Sequence, residues 1–280
     1  VAPCLLLPTT LLLATMHLAG VMGLPRSMVM HRWSVRLACS EIPKGVAMRG
    51  LKTASTGDGR PVVTSRNKLG QNLNMEAIRS LGSVLRKPSV MVPHISTPNV
   101  NSIPFRALKS AGIKVVVFDK DNTITAPYSF ELHDTARKGL AEAQKLFGKE
   151  NVILMSNSAG TLDDDGFREA DIIEHELGLP VLRHKEKKPK GMPELTAHFT
   201  GKIEPAEMCI VGDRVLTDVL FGSLNGLLTI HVSDPLDVKS DNKMARFWRV
   251  VENSFLLPIL KILGVGPPPT HRGVYSKGLK

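Results

Sequence analysis

Cysteine is scarce in this chain: Cys4, Cys39 and Cys209 are the only three. That count builds no framework of disulfides, no zinc-ligand spacing is present, and the usage suits a reducing compartment. A long apolar run is lacking near the C-terminus too. Residues 254–263 form an apolar run, but it is too short to cross a bilayer, which takes about 20 residues. A basic surplus is missing from most of the chain. The formal net charge is +10, but residues 1–75 hold 9 Lys or Arg against Glu41 and Asp58, which leaves 27 basic against 24 acidic residues in 76–280. So small an excess argues against nucleic acid as a partner. The run Arg183-His-Lys-Glu-Lys-Lys-Pro-Lys190 is the local exception, suited to an anionic substrate or surface, or to a solvated loop.

Acids are nearly absent from the first 75 residues, and residues 1–25 carry no charge while including Leu5-Leu-Leu and Leu11-Leu-Leu. Residues 26–68 are rich in Arg, Ser and Thr, as organelle transit peptides are. Residues 1–75 are therefore expected to be a targeting leader, disordered or cleaved. A single domain is expected over 76–263, followed by a disordered tail over 264–280.

What the chain does have is polar groups at the ends of short apolar runs. In Val115-Val-Val-Phe-Asp-Lys-Asp-Asn-Thr123, four β-branched or aromatic residues predict an interior strand of a parallel sheet, and Asp119 and Asp121 follow it. Ligands gather at the carboxyl ends of such strands. A carboxylate there can attack phosphorus and split one hard displacement into two easier ones. Asp121, two residues on, points to the same side, where it can protonate the leaving oxygen and later deprotonate the attacking water. Val152-Ile-Leu-Met-Ser156 predicts a second strand ending in a hydroxyl, and Ser156 and Asn157 can bind phosphoryl oxygens. Lys187-Lys-Pro-Lys-Gly191 supplies a cation to offset phosphate charge, with Lys187, Lys188 and Lys190 all candidates. Met208-Cys-Ile-Val211 predicts a strand running into Gly212-Asp-Arg-Val-Leu-Thr-Asp218. Its acids, five residues apart across a strand-to-helix turn, suit a hard divalent cation.

These four segments, in this order, resemble the motifs of haloacid dehalogenase superfamily phosphatases, and the resemblance covers about residues 90–260. It implies an α/β fold, a Rossmann-like parallel sheet with helices on both faces. By position it makes Asp119 the nucleophile, Asp121 the general acid/base, Ser156 the phosphate-binding hydroxyl and Lys188, through its Lys-Pro pairing, the motif lysine. It also implies Mg2+ held by Asp119, the backbone carbonyl of Asp121, Asp213 and Asp218. An acid at 121 favours rapid hydrolysis of an aspartyl-phosphate, hence a phosphatase.

A narrower resemblance rests on Val92-Pro-His-Ile, Phe118-Asp-Lys-Asp-Asn-Thr-Ile-Thr-Ala-Pro-Tyr128, Ser156-Asn-Ser-Ala-Gly160, Arg183-His with Lys187-Lys-Pro189, and Val211-Gly-Asp-Arg-Val-Leu-Thr-Asp-Val219. Together they are similar to the mitochondrial and plastid phosphatidylglycerophosphate phosphatases, with Ile124 where Leu is commoner. That resemblance implies conversion of phosphatidylglycerophosphate to phosphatidylglycerol, a cardiolipin precursor. With the leader, it places the chain on the matrix side of the inner mitochondrial membrane, or alternatively in a plastid.

Only 37 residues separate Asp119 from Ser156, and 32 separate Ser156 from Lys188. Neither interval holds a lid domain, so a capless site is expected. An open site suits a lipid headgroup at a bilayer surface, and it equally suits a phosphoprotein or a soluble phosphoester. Helices are expected at 134–147 with Leu140, Ala143 and Phe147 inward, at 166–177 with Ile172, Ile173 and Leu177 inward, at 192–199, and at 217–225 ended by Gly226. Further strands are expected at 181–183 and 228–232. Two amphipathic segments, 75–85 and 243–263, can lie in a headgroup layer. The second places Phe247, Trp248, Val250, Val251, Phe255, Leu256 and Ile259 among Lys243, Arg246 and Arg249. For the part before Pro258, packing of a terminal helix on the sheet is the favoured reading. A peripheral membrane protein with an anionic phospholipid substrate is expected, its oligomeric state open.

Overall fold

The computed structural model describes residues 86–200, 202–237 and 240–269. The expectations for the leader, for segment 75–85 and for 270–280 lie outside them. Five strands, β1 (Ile95–Thr97), β2 (Val115–Phe118), β3 (Val152–Leu154), β4 (Met208–Gly212) and β5 (Leu228–Val232), form one sheet in the order β1-β5-β4-β2-β3. Every pairing is parallel. The helices are α1 (Phe105–Ser110), α2 (Asp134–Phe147), α3 (Arg168–Leu177), α4 (Met192–His198), α5 (Leu220–Asn225), α6 (Lys243–Val251) and α7 (Leu257–Ile262).

The sheet is apolar on both faces because helices cover both, as parallel crossovers require. Along β2 the side chains alternate. Val116 and Phe118 pack with Leu140, Ala143 and Phe147 of α2, Ile173 of α3 and Phe105 of α1. Val115 and Val117 pack with Leu195 of α4 and Phe221 of α5. Full burial of each such side chain contributes about 1.5–3 kcal/mol.

The strand order decides where chemistry can occur. From β2 the chain moves outward to β3, then returns across the sheet to β4 on the other side of β2. Phe118 is in register with Leu154 on one side and Val211 on the other. The carboxyl ends of three neighbouring strands therefore lie together at a topological switch point, the place where such sheets bind ligands. Among the described residues, the stretches between these strands hold only helices, turns and loops, with no inserted cap domain.

Several expectations are corrected. The strand at 181–183 is reduced to one bridge, Leu154 to Val181, because Pro180 brings no N–H to a ladder and the side chain of Arg183 turns to Asp171 and Glu174. Ile172 points outward at 44% exposure, while Ala170 and Ile173 fill the inner face of α3. The helix at 217–225 begins two residues earlier, as a π-turn over Val215–Val219 leading into α5. Two elements, β1 and α1, went unforeseen. The ordered chain also passes the expected boundary at 263: Val265 packs against the domain, and the carbonyl of Pro268 lies 3.0 Å from His94 Nε2.

The C-terminal segment runs through α6, a π-turn over Glu252–Leu256 and α7 without a break. Its inner stripe comprises Arg249, Glu252, Leu256, Leu257 and Leu260, the leucines packing on Val215, Val219 and Leu220. The outer stripe is apolar: Phe247, Val250, Phe255, Ile259 and Ile262 are all exposed, Ile262 at 81%. The wider π-turn lets Val250 and Phe255, five positions apart, share one side, where an α-helix would bring together residues four apart. No helix among the described residues is long and apolar enough to cross a membrane.

Candidate active site

Three carboxylates converge at the strand tips. Asp119 follows β2, while Asp213 and Asp218 lie just beyond β4, and one carboxylate oxygen from each lies within 4.8 Å of the others. All three are buried or nearly so. Local sequence explains the approach of Asp218: a Cβ at Gly212 would lie 2.3 Å from the Asp218 carboxyl carbon, so any larger residue there would push the carboxylate aside. Asp218 Oδ2 also accepts hydrogen bonds from the backbone N–H of Arg214 and the hydroxyl of Thr217.

Of the three candidate lysines, Lys188 is the one whose ammonium lies among these acids. Its Nζ is 2.6 Å from Asp119 Oδ1, 2.5 Å from Asp218 Oδ1 and 2.8 Å from the Met155 carbonyl. Lys187 pairs with Asp163, and Lys190 with Glu186, both toward solvent. The loop carrying Lys188 is tied to the one carrying Ser156 at two points. Asn157 Oδ1 accepts from the Lys188 backbone N–H at 2.8 Å. The ring nitrogens of buried His184 lie 2.9 Å from the Ser156 carbonyl and 2.7 Å from the Glu186 carbonyl. The sequence assigned Asn157 to phosphate; its side-chain oxygen instead holds the lysine loop, leaving its NH2 as the donor available to a ligand. Ser156 Oγ is buried 3.0 Å from Ser158 Oγ.

Asp121 stands apart from the three-acid cluster, with its side chain 32% exposed in the turn after β2. Lys120 Nζ and the Tyr128 backbone N–H both donate to its Oδ1, at 2.7 and 3.1 Å. Oδ2 is thus the oxygen placed to carry a proton. Lys120 is itself buried, with its ammonium 5.5 Å from the centre of the Phe130 ring.

Charge bookkeeping in the buried site is lopsided. Four carboxylates, those of Asp119, Asp213, Asp218 and Asp241, face two cations, Lys188 and Arg249. The excess of two negative charges is that of one divalent cation. In the protein alone, burial pushes Asp119 up to about 8 against the pull of Lys188, and burial pushes Asp213 up to about 6 against the pull of Arg249. Lys188 is raised, because its two carboxylate partners outweigh its own desolvation. Asp213 Oδ1 is buried without a hydrogen-bond partner. A buried, unpartnered carboxylate oxygen beside two more carboxylates is a hard, oxygen-only donor set that fits a divalent cation.

Sequence reasoning missed the parts of this site that come from α6. Arg249, one of the three cations named along that amphipathic segment, is buried, with Nε and Nη2 at 2.9 and 2.5 Å from Asp213 Oδ2. It also pairs with Asp241, which accepts from Asn122 of the first motif at 3.3 Å. Glu252 accepts from the N–H groups of Val215 and Leu216 at 2.9 and 3.4 Å. The available signal was an Arg and a Glu three residues apart, which share one helix face.

Comparison with known proteins identifies the family. The chain matches the family described as mitochondrial PGP phosphatase over residues 75–237. It is 36% identical over 241 residues to phosphatidylglycerophosphate phosphatase 1, chloroplastic, of Chlamydomonas reinhardtii, covering 82% of this chain and 85% of that protein. It is 38% identical over 190 residues to the chloroplastic/mitochondrial phosphatidylglycerophosphate phosphatase 1 of Arabidopsis thaliana, covering 67% of this chain and 54% of that protein. Against the mitochondrial phosphatidylglycerophosphatase of Saccharomyces cerevisiae it is 29% identical over 184 residues, covering 65% of this chain and 98% of the yeast protein. With the match spanning more than half its length, this chain belongs to the mitochondrial PGP phosphatase family.

Proposed function

We propose that this chain hydrolyses phosphatidylglycerophosphate to phosphatidylglycerol and phosphate through an aspartyl-phosphate on Asp119. The observation that carries the reading is the cluster of Asp119, Asp213 and Asp218 around the Lys188 ammonium at the sheet's switch point, in a member of this family. Asp119, Asp213 and Asp218, with the backbone carbonyl of Asp121, would hold Mg2+, which when bound supplies Lewis-acid stabilisation of phosphoryl charge.

The chain's own groups account for the proton and bond changes. A carboxylate oxygen of Asp119 attacks phosphorus as the bond to the glycerol oxygen breaks, and that oxygen takes the proton from Asp121 Oδ2. Water then gives a proton to Asp121 and attacks the same phosphorus; the bond to Asp119 breaks, and phosphate leaves. Partial exposure lets Asp121 exchange protons between turnovers, while Lys120 and the Tyr128 N–H fix its orientation. Ser156 Oγ, the Asn157 NH2 and Lys188 offer donors to the phosphoryl oxygens.

The substrate is a lipid, and the outer stripe of α6 and α7 offers a seat on its bilayer. Phe247, Val250, Phe255, Ile259 and Ile262 are flanked by exposed Lys243, Arg246 and Lys261, the pattern of a helix lying in an anionic headgroup layer. We place the protein peripherally on a mitochondrial or plastid membrane, with the matrix side of the inner mitochondrial membrane first. Phosphate release from phosphatidylglycerophosphate in mixed micelles, compared with soluble phosphoesters, is the deciding assay. The lipid should be the better substrate by kcat/KM; a soluble phosphoester or phosphopeptide that outperforms it would overturn the assignment.

A further inference from the structure

Arg249 grips Asp213 in an unusual way. A guanidinium and a carboxylate that pair for stability alone commonly use two parallel bonds, one to each oxygen. Here Nε and Nη2 both reach the same oxygen, Oδ2, while Oδ1 is buried with no hydrogen-bond partner. The rest of Asp213 is held as well. Its backbone carbonyl lies 3.2 Å from His231 Nε2. The amides two and three residues on, Val215 and Leu216, donate to Glu252, one turn after Arg249 on the same helix face. The far end of Arg249 is anchored on Asp241, and so to Asn122 of the first motif. Asp213 is thus held through its carbonyl and Oδ2, and Oδ1 is the carboxylate oxygen left without a hydrogen-bond partner.

We infer that Arg249 is a positioning residue for the cation site: it restrains one oxygen of Asp213 and so presents the other to a divalent metal. The inference rests on the proposed metal-dependent function. It is also a claim about direction, because a cation so close to the site should by charge alone weaken metal binding. If Arg249 served only to balance charge, its removal would leave a more negative site and tighter binding. If it orients Asp213, removal loosens the site, and a lysine that keeps the charge without the planar fork fails to restore it.

Uptake of Mn2+ by the full chain, read from loss of the free-ion electron paramagnetic resonance signal, separates these cases without any substrate. Arg249→Lys should weaken Mn2+ binding about tenfold and Arg249→Met more, within the ten- to hundredfold range of residues that orient metal ligands. Asp241→Asn, which frees the far end of the guanidinium, should weaken it by a smaller factor. In Arg249→Lys the Mg2+ concentration for half-maximal turnover should rise similarly, while kcat at saturating Mg2+ recovers. Should Arg249→Met fail to fold, the lysine and Asp241→Asn variants still decide. Wild-type affinity in Arg249→Lys, or tighter binding in Arg249→Met, would overturn the inference alone. A wild-type chain that takes up no Mn2+ would overturn the metal reading beneath it as well.

Discussion

The strand tips and the C-terminal helix meet at the same carboxylate, yet they are built on different logic. At the strand tips Asp119, Ser156 and Asp213 each follow a short apolar run that makes a buried strand and delivers them to the switch point. On α6 and α7, function is divided between two stripes of one helix. The inner stripe carries Arg249 and Glu252 into the site, and the outer stripe is an apolar surface. The strand tips supply reacting groups on a rigid sheet. The helix supplies restraint from within and, on our reading, contact with the bilayer from without. One element thus completes the site on its inner side and presents an exposed apolar stripe on its outer side.

Lys188 should give the largest effects, because it serves the strand-tip region alone. Lys188→Met should abolish turnover and leave Asp119 and Asp218 facing each other without their cation. Losing one partner of a buried ion pair costs about 3–5 kcal/mol. Denaturant unfolding should show that loss, with Mg2+ recovering part of it. Near wild-type activity would separate Lys188 from the chemistry.

The outer stripe should give a smaller, substrate-dependent effect. Phe255→Glu combined with Ile262→Glu removes two exposed apolar groups and adds charge that anionic lipid repels. Binding to cardiolipin-containing vesicles should fall at least about tenfold, given about 1.5–3 kcal/mol for each buried side chain of this size. Hydrolysis of a soluble phosphoester should change far less. Equal loss on both substrates would erase the division between the two stripes.

The smallest effect expected is on thermal stability. Asp119 is held up at about 8 by burial, and an acid that binds its proton more tightly in the folded state makes stability fall as pH rises toward that value. Half-buried His94 and buried His184 and His231, all lowered by desolvation, oppose the trend only below about pH 6.5. Glu252, raised by burial, acts in the same direction as Asp119. In chelator, the melting temperature should therefore decline by a few degrees between about pH 6.5 and 8, and Asp119→Asn should make the decline shallower. An identical slope in both would remove Asp119 as its cause.

Legibility in the sequence follows the same division. Strands β2 and β5 and helix α2 lie where their patterns predict, and three of the four motifs combine a short apolar run with a functional residue in one string, while Lys188 is carried on a loop. The role of Arg249 was not legible, for a physical reason. Amphipathic reading assigns charge to the solvent face, and here the inner face carries the Arg and the Glu while five exposed residues are apolar. Its partner, Asp213, lies 36 residues earlier, a separation no periodicity reports. Strand β1 is three residues long and α1 six, too short for a period to declare itself.

The most direct test of the account is chemical capture of the intermediate. The full chain, mixed with phosphatidylglycerophosphate labelled in its terminal phosphate and quenched in acid within one turnover, should carry label as a hydroxylamine-sensitive acyl phosphate on Asp119. Asp119→Asn should carry none and turn over none. Label on any other residue, or continued hydrolysis by Asp119→Asn, would contradict it.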